Sequence, residues 1–247
     1  MKPGRQNFVS GLAWDEVERR LREGAAAILP VGAGAKQHGL HMPMGTDQFQ
    51  AEWFAARLSE RIDALIWPTL SYGRYPAFVA YAGSVSLSEN AFVALVTEIV
   101  EGLIGYGARR VLVLDTGIST IAPIDSAIAR TSDVARVRHL KIYGGARFQS
   151  AVVTLRQQAY GTHADEIETS IMLALAPDLV NMTRAQASPP LIDGPRPGPL
   201  TSDDAVSPNY SPSGSFGDPT KASREKGQVL IDAILLDITA AVAAHEM

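Results

Sequence analysis

The stretch Ala25-Ala26-Ala27-Ile28-Leu29-Pro30-Val31-Gly32-Ala33-Gly34-Ala35-Lys36-Gln37-His38-Gly39-Leu40-His41-Met42-Pro43-Met44-Gly45-Thr46-Asp47 decides the fold. Its first seven residues form a short, unbroken apolar run. A strand apolar on both faces belongs in a parallel sheet covered by helices on both sides, whereas a half-solvated strand alternates. Gly32, Gly34 and Gly39 then turn the chain into a loop that carries Lys36, His38, His41, Pro43 and Asp47. The segment 48–61 follows, with Phe49, Trp53, Phe54 and Leu58 on roughly one helical face.

The same alternation repeats outward from this unit. A second strand is expected at 64–67, closed by Pro68, and 71–86 reads as a long ordered loop rich in Gly, Tyr and Pro. A helix is predicted over 91–106, with Ser88 or Asn90 as its cap. The third strand covers 109–114 and ends in Asp115-Thr116-Gly117. A helix over 124–134 and a strand over 139–143 come next. His163-Ala164-Asp165-Glu166-Ile167-Glu168-Thr169-Ser170 opens a helix running to Leu175. Thr162 and Asp165 compete as its cap, and acids in a first turn suit the helix dipole. The stretch 188–219 is dense in Pro, Gly, Ser and Asp, and a loop of that length is either functional or disordered. An amphipathic helix over 221–245 closes the chain, and a polar amphipathic one spans Trp14 to Leu21 near its start.

Strands alternating with helices predict an α/β fold: a doubly wound, mostly parallel sheet with helices on both faces and right-handed crossovers. One domain over 1–247 is expected. Ligands of such sheets bind outside the carboxyl ends of the strands. The loop carrying His38 and Asp47 and the turn 115–120 both leave such ends. His163 follows another loop, so three polar clusters are expected to converge on one crevice.

Composition narrows the chemistry. The 247 residues carry a net charge of −4 and no cysteine. Disulfides, thiolate metal sites and a cysteine nucleophile are therefore excluded, and the composition suits a cytoplasmic protein. No basic footprint for nucleic acid is present. No apolar run approaches the roughly 20 residues that span a bilayer, so neither partner is expected. A small-molecule substrate remains.

His38 and Asp47 share one constrained loop, and both residue types ligate zinc or manganese. A histidine beside glycine at a strand exit is just as readily bonded to backbone alone. His163 titrates in the range useful to a general acid or base. Glu166 and Glu168 are two apart and do not share a helix face, so at most one is expected to point inward. Glu168, flanked by Ile167 and Ile171, is the candidate and would need a partner. Alternatively both acids serve only the helix dipole.

The run Leu29 to Asp47 resembles the signature of the creatininase (creatinine amidohydrolase) family, roughly LPVGSxEQHGPHLPLGTD. His163 to Ser170 resembles its HAGExETS motif. Phe216-Gly217-Asp218-Pro219-Thr220-Lys221-Ala222-Ser223-Arg224-Glu225-Lys226-Gly227 resembles its GxxGDPxxAxxxKG segment, and Tyr72-Gly73 with Gly83-Ser84-Val85-Ser86-Leu87 its YG…GTxxL stretch. The resemblance implies a doubly wound fold, often a hexamer, with a dinuclear Zn/Mn site that hydrolyses amides or cyclic amides. It assigns the metal-binding positions to His38 and Asp47, with Asp47 bridging, and the catalytic histidine to His163.

Three expected ligands are replaced. Lys36 stands where the family carries a glutamate, Gly117 where it carries a histidine, and Ser119 where it carries an acid. An ammonium cannot coordinate a divalent ion and is repelled by one. Lys36 therefore either fills the charge niche of a missing metal and pairs with Asp47, or turns outward to solvent. The expected activity is hydrolysis of a C–N bond in a small amide, cyclic amide or lactam, with one divalent metal (Zn or Mn) or none. His163, Glu168 and Lys36 are the catalytic candidates, His38 and Asp47 the metal ligands, and Asp115, Ser119 and Tyr72 the substrate contacts. Two rival expectations are metal-free ring opening or elimination through Lys36, and a catalytically silent homologue that binds a small metabolite. A homo-oligomer, a hexamer by resemblance, is expected.

Overall fold

A computed structural model describes residues 7–188 and 198–244. Four strands form one parallel sheet in the order β2-β1-β3-β4, with β1 Ala26–Val31, β2 Ala64–Ile66, β3 Val111–Asp115 and β4 Val137–Lys141. Between and around them run α1 Trp14–Glu23, α2 Thr46–Ser59, α3 Glu89–Gly105, α4 Ile121–Ile128, α5 Ala146–Leu155, α6 Glu166–Leu175 and α7 Arg224–Ala243.

Successive strand residues point to opposite faces, and each face has its own core. Ile28, Leu112, Leu114 and Leu140 pack with Phe54 and Leu58 of α2, Ile171 of α6 and Leu230, Ile231 and Ile234 of α7. Ala27, Leu29, Val31, Val111 and Val113 pack with Leu21, with Phe92, Val96 and Val100 of α3, and with Ile124 and Ala127 of α4. This is why β1 is apolar throughout, and all six of its residues are buried.

Two helices depart from expectation. The segment 124–134 yields only α4, Ile121–Ile128, followed by a short 3-10 turn at Val134–Arg136. No helix was expected over α5. Its amino-terminal N–H groups at Arg147 and Phe148 are accepted by the Asp237 carboxylate of α7, a cap supplied from another helix. The closing helix ends at Ala243, and His245 lies outside the described residues, as does 189–197 of the long loop.

The chain leaves β1 toward β2 on one side and later returns to place β3 on the other. The gap beyond the carboxyl ends of β1 and β3, where Val31 pairs with Asp115, is therefore the topological switch point at which ligands of such sheets bind. Gly32 lets α2 start directly over this gap, because a Cβ there would strike the Asp47 carbonyl.

Candidate active site

The loop after β1 delivers Lys36 and His38, and Asp47 follows in the first turn of α2. His38 Nδ1 lies 2.9 Å from the Lys36 carbonyl. A carbonyl only accepts, so Nδ1 carries the hydrogen. The opposite nitrogen, Nε2, lies 3.0 Å from Asp47 Oδ1 and 3.7 Å from Glu168 Oε1. Two lone pairs cannot sit at that distance unaided, so a proton or a cation must stand between His38 and Asp47.

His163 is treated in the same way from another direction. Its backbone pairs with Phe216 in a short antiparallel bridge, and its Nε2 donates to the Gln37 carbonyl at 2.9 Å. The Nδ1 lone pair is left facing Glu168 Oε2 at 3.7 Å. The next residue, Ala164, has φ 46, a left-handed conformation unusual for a residue with a side chain. That twist aims its N–H at Glu168 Oε2, 2.7 Å away, while His163 turns toward His38 with ring centroids 4.9 Å apart. Asp165 caps α6, accepting from the N–H groups of Ile167 and Glu168 at 3.0 Å each.

Lys36 is 6% exposed, and its Nζ lies 2.6 Å from Asp47 Oδ2. It meets the carboxylate off the hydrogen-bonding direction, so Oδ2 keeps no aligned donor. The ammonium lies 5.0 Å from the Phe78 ring and 5.6 Å from that of Tyr75, within cation–π range. Phe78 also stacks on His163 at 4.3 Å. Burial pushes the Asp47 carboxyl upward, but Lys36 and His38 outweigh it and hold Asp47 below the usual carboxylate range. Burial, reinforced by His38 and Lys36, keeps His163 well below the ordinary imidazole value, and burial raises Glu168.

The turn after β3 is closed on itself. Asp115 Oδ1 accepts from the Gly117 N–H at 2.9 Å and the Thr120 hydroxyl at 2.7 Å, while Oδ2 meets His139 at 3.2 Å. Ser119 donates to the Arg74 carbonyl at 2.8 Å. Tyr72 is 53% exposed. These three candidate substrate contacts have other partners or face solvent. Glu166 corrects the expectation of one inward acid. It is fully buried, 2.5 Å from Lys226 and accepting from the N–H groups of Gln157 and Gln158. Both acids are buried, each with its own set of partners.

His38, His163 and Glu168 bring ligand atoms within 4.8 Å of one another. A tetrahedral ion with bonds near 2.0–2.1 Å places its ligands about 3.3 Å apart. The separations of His38 Nε2 from Asp47 Oδ1 and Glu168 Oε1, 3.0 and 3.7 Å, bracket that value. The backbone carbonyls behind both imidazoles are the support that metal-binding histidines ordinarily have. One divalent ion therefore fits. A second does not, since the ammonium of Lys36 holds the other Asp47 oxygen and the turn 115–120 offers no ligand.

Sequence reasoning missed the aromatic walls Tyr75 and Phe78, and also the Gln37 carbonyl that orients His163. It also missed a cavity of about 240 Å³ beside Glu168, lined among others by Tyr143, Phe148, Arg156, Thr162 and Ile167. Only an inserted ring pattern in 71–86 hinted at the first.

A doubly wound α/β sheet here carries an imidazole–carboxylate cluster at its switch point that could hold a metal ion. The chain belongs to the creatininase family: the family model described as creatinine amidohydrolase matches residues 10–242. It is 31% identical to the creatinine amidohydrolase of Pseudomonas putida, over 95% of each chain. It is also 25% identical to a mycofactocin precursor peptide peptidase of Mycobacterium tuberculosis, over 87% of this chain and 84% of the other. Among solved structures, a manganese creatininase superposes with a TM-score of 0.84 at 28% identity, covering 96% of this chain and 98% of that one. A mutant creatininase of zinc–zinc type gives 0.81. The chain is a hydrolase of this family with an α/β fold, and no helix among its described residues is long and apolar enough to cross a membrane.

Proposed function

We propose that this hydrolase cleaves a C–N bond of a small amide, cyclic amide or lactam with one divalent ion, Zn or Mn, and a built-in ammonium. The observation that carries this is the His38–Asp47 contact at 3.0 Å, which needs a proton or a cation between the two atoms, next to the Lys36–Asp47 ion pair at 2.6 Å, which already supplies one positive charge.

His38, Asp47 Oδ1 and Glu168 would hold the ion. When bound, it supplies Lewis-acid polarisation and an acidified water. The chain's own groups do the rest. Lys36 keeps a fixed positive charge on the far side of Asp47, in a pocket walled by Tyr75 and Phe78, where negative charge developing on the substrate is stabilised without reorganisation. His163 carries the proton: with Nε2–H locked on Gln37, its free Nδ1 takes a proton from the attacking water and returns it to the leaving nitrogen. Glu168 sits between His163 and the cavity, and orients both. Asp115, Ser119 and Tyr72 stay outside this chemistry.

The Lys36–Asp47 pair also favours a second reading, in which Lys36 alone supplies the positive charge and no metal is needed. We expect a cytoplasmic homo-oligomer, a hexamer by family resemblance. Elemental analysis beside an assay on simple lactams and cyclic ureides separates the cases. One ion per chain with hydrolysis supports the first reading, and hydrolysis by an ion-free chain supports the second. Two ions per chain would sink both, and an ion-loaded chain that hydrolyses no such compound would make the protein a binder.

A further inference from the structure

The cavity beside Glu168 has a polarity of its own. It lies between α5 and the start of α6, opens to solvent and measures about 240 Å³. Sites for drug-sized ligands run from roughly 300 to 1,000 Å³, so this one suits a small molecule. Its lining combines apolar Phe148, Val152 and Ile167 with the charged groups Arg156, Asp165 and Glu168.

Most of the polar groups in the lining are already engaged. The Tyr143 hydroxyl donates to Gln50 Oε1 at 2.6 Å, and Gln149 Nε2 donates to the Tyr143 carbonyl at 2.7 Å. Asp165 is taken up by the α6 cap and by Gln158 Nε2 at 2.6 Å. Two further charged groups line it. Glu168 is buried, accepts from the Ala164 N–H and is shared with the His38–His163 cluster. Arg156, the residue that caps the carboxyl terminus of α5, is exposed. Among the described residues no carboxylate lies within ion-pair distance of Arg156.

From this arrangement we infer that the substrate carries a carboxylate, bound by Arg156, on a short apolar body that presents its C–N bond to Glu168 and His163. A guanidinium is planar and never deprotonates, and its paired N–H groups match a carboxylate bidentately. This makes Arg156 a specificity residue rather than a catalytic one. The inference rests on the proposed hydrolase site for its choice of scissile bond, but not for the carboxylate.

A matched pair of lactams tests it by binding alone. Pyroglutamate carries the carboxylate, and 2-pyrrolidinone is the same ring without it. Calorimetry on the purified full chain should show pyroglutamate bound at least tenfold more tightly than 2-pyrrolidinone. Arg156→Met should erase that preference while leaving the weak affinity for 2-pyrrolidinone unchanged, and Arg156→Lys should keep part of it. Arg156 is exposed and without a partner, so neither variant should disturb folding. Equal binding of the two lactams, no binding of pyroglutamate, or a preference that survives Arg156→Met would each overturn the inference. A clear carboxylate preference without turnover would count against the hydrolytic site and leave the Arg156 assignment standing.

Discussion

Removing the Lys36 ammonium leaves the Asp47 carboxylate buried with only His38 beside it. Breaking one partner of a buried ion pair costs about 3–5 kcal/mol, because the remaining charge has lost its counterion in a medium that solvates it poorly. Lys36→Met should lower the unfolding free energy from urea titration by that much near neutral pH, and an unchanged value would show that the pair contributes nothing. His41 gives a pH signature. It is buried, with Nε2 2.8 Å from the Thr169 hydroxyl and Nδ1 without a partner, and burial, aided by His38, lowers its pKa from 6.5 to about 4. Between those values the unfolded chain binds the proton more readily. The His41 contribution to stability should therefore be complete above about pH 6.5 and be lost as pH falls toward 4, by at most about 3 kcal/mol. The buried acids Asp165 and Glu168, raised by burial, act with the opposite sign in acid. The difference between wild type and His41→Asn across pH 4–7 isolates His41, and parallel curves would refute the assignment. At this scale the Asp115 contacts were also within reach of the sequence, since Asp-x-Gly is a turn in which the carboxylate bonds the N–H two residues on.

Elements depend on neighbours that no local pattern reveals. The segment Ala146–Leu155 contains Val152, Val153 and Thr154, which favour strands as readily as helices, and two glycines precede it. What makes it α5 is the Asp237 cap from α7, 90 residues away in sequence from Arg147. Asp237→Ala should cost about 1 kcal/mol, as helix-cap removals do, and should fray the wall that carries Phe148 and Arg156. Thermal melts and hydrogen exchange over 146–150 would check it, and protection equal to wild type would show that the cap is dispensable. The α6–α7 contact is tighter still. A Cβ at Gly227 would run into the Ser170 carbonyl and lie 2.9 Å from the Ala174 Cβ. Gly227→Ala gains helix propensity but forces the two helices apart, so a net loss of about 1–3 kcal/mol is expected from overpacking. A variant as stable as wild type would mean that the helices can slide at little cost.

For the whole molecule, light scattering at working concentration should return the mass of an oligomer, a hexamer by family resemblance, and a monomer mass would overturn that expectation. The sequence by itself determined the architecture. A seven-residue apolar run, glycines at its exit and a helical period after it admit few arrangements besides a parallel strand buried on both faces, and repetition of the unit then orders the sheet. It also placed His38, Asp47 and His163 on loops and element starts, because strand ends and loops are local features. It left open whether Lys36 faces Asp47 or water, whether one acid of α6 or both turn inward, and what meets the second oxygen of Asp115. Those questions depend on partners distant in the chain: Asp47, Phe78 and Tyr75 around Lys36, Lys226 beside Glu166, and His139 beside Asp115. Only the tertiary structure decided them, since the energy of a buried charge is set by what surrounds it in space, and a linear pattern records residue types without those distances.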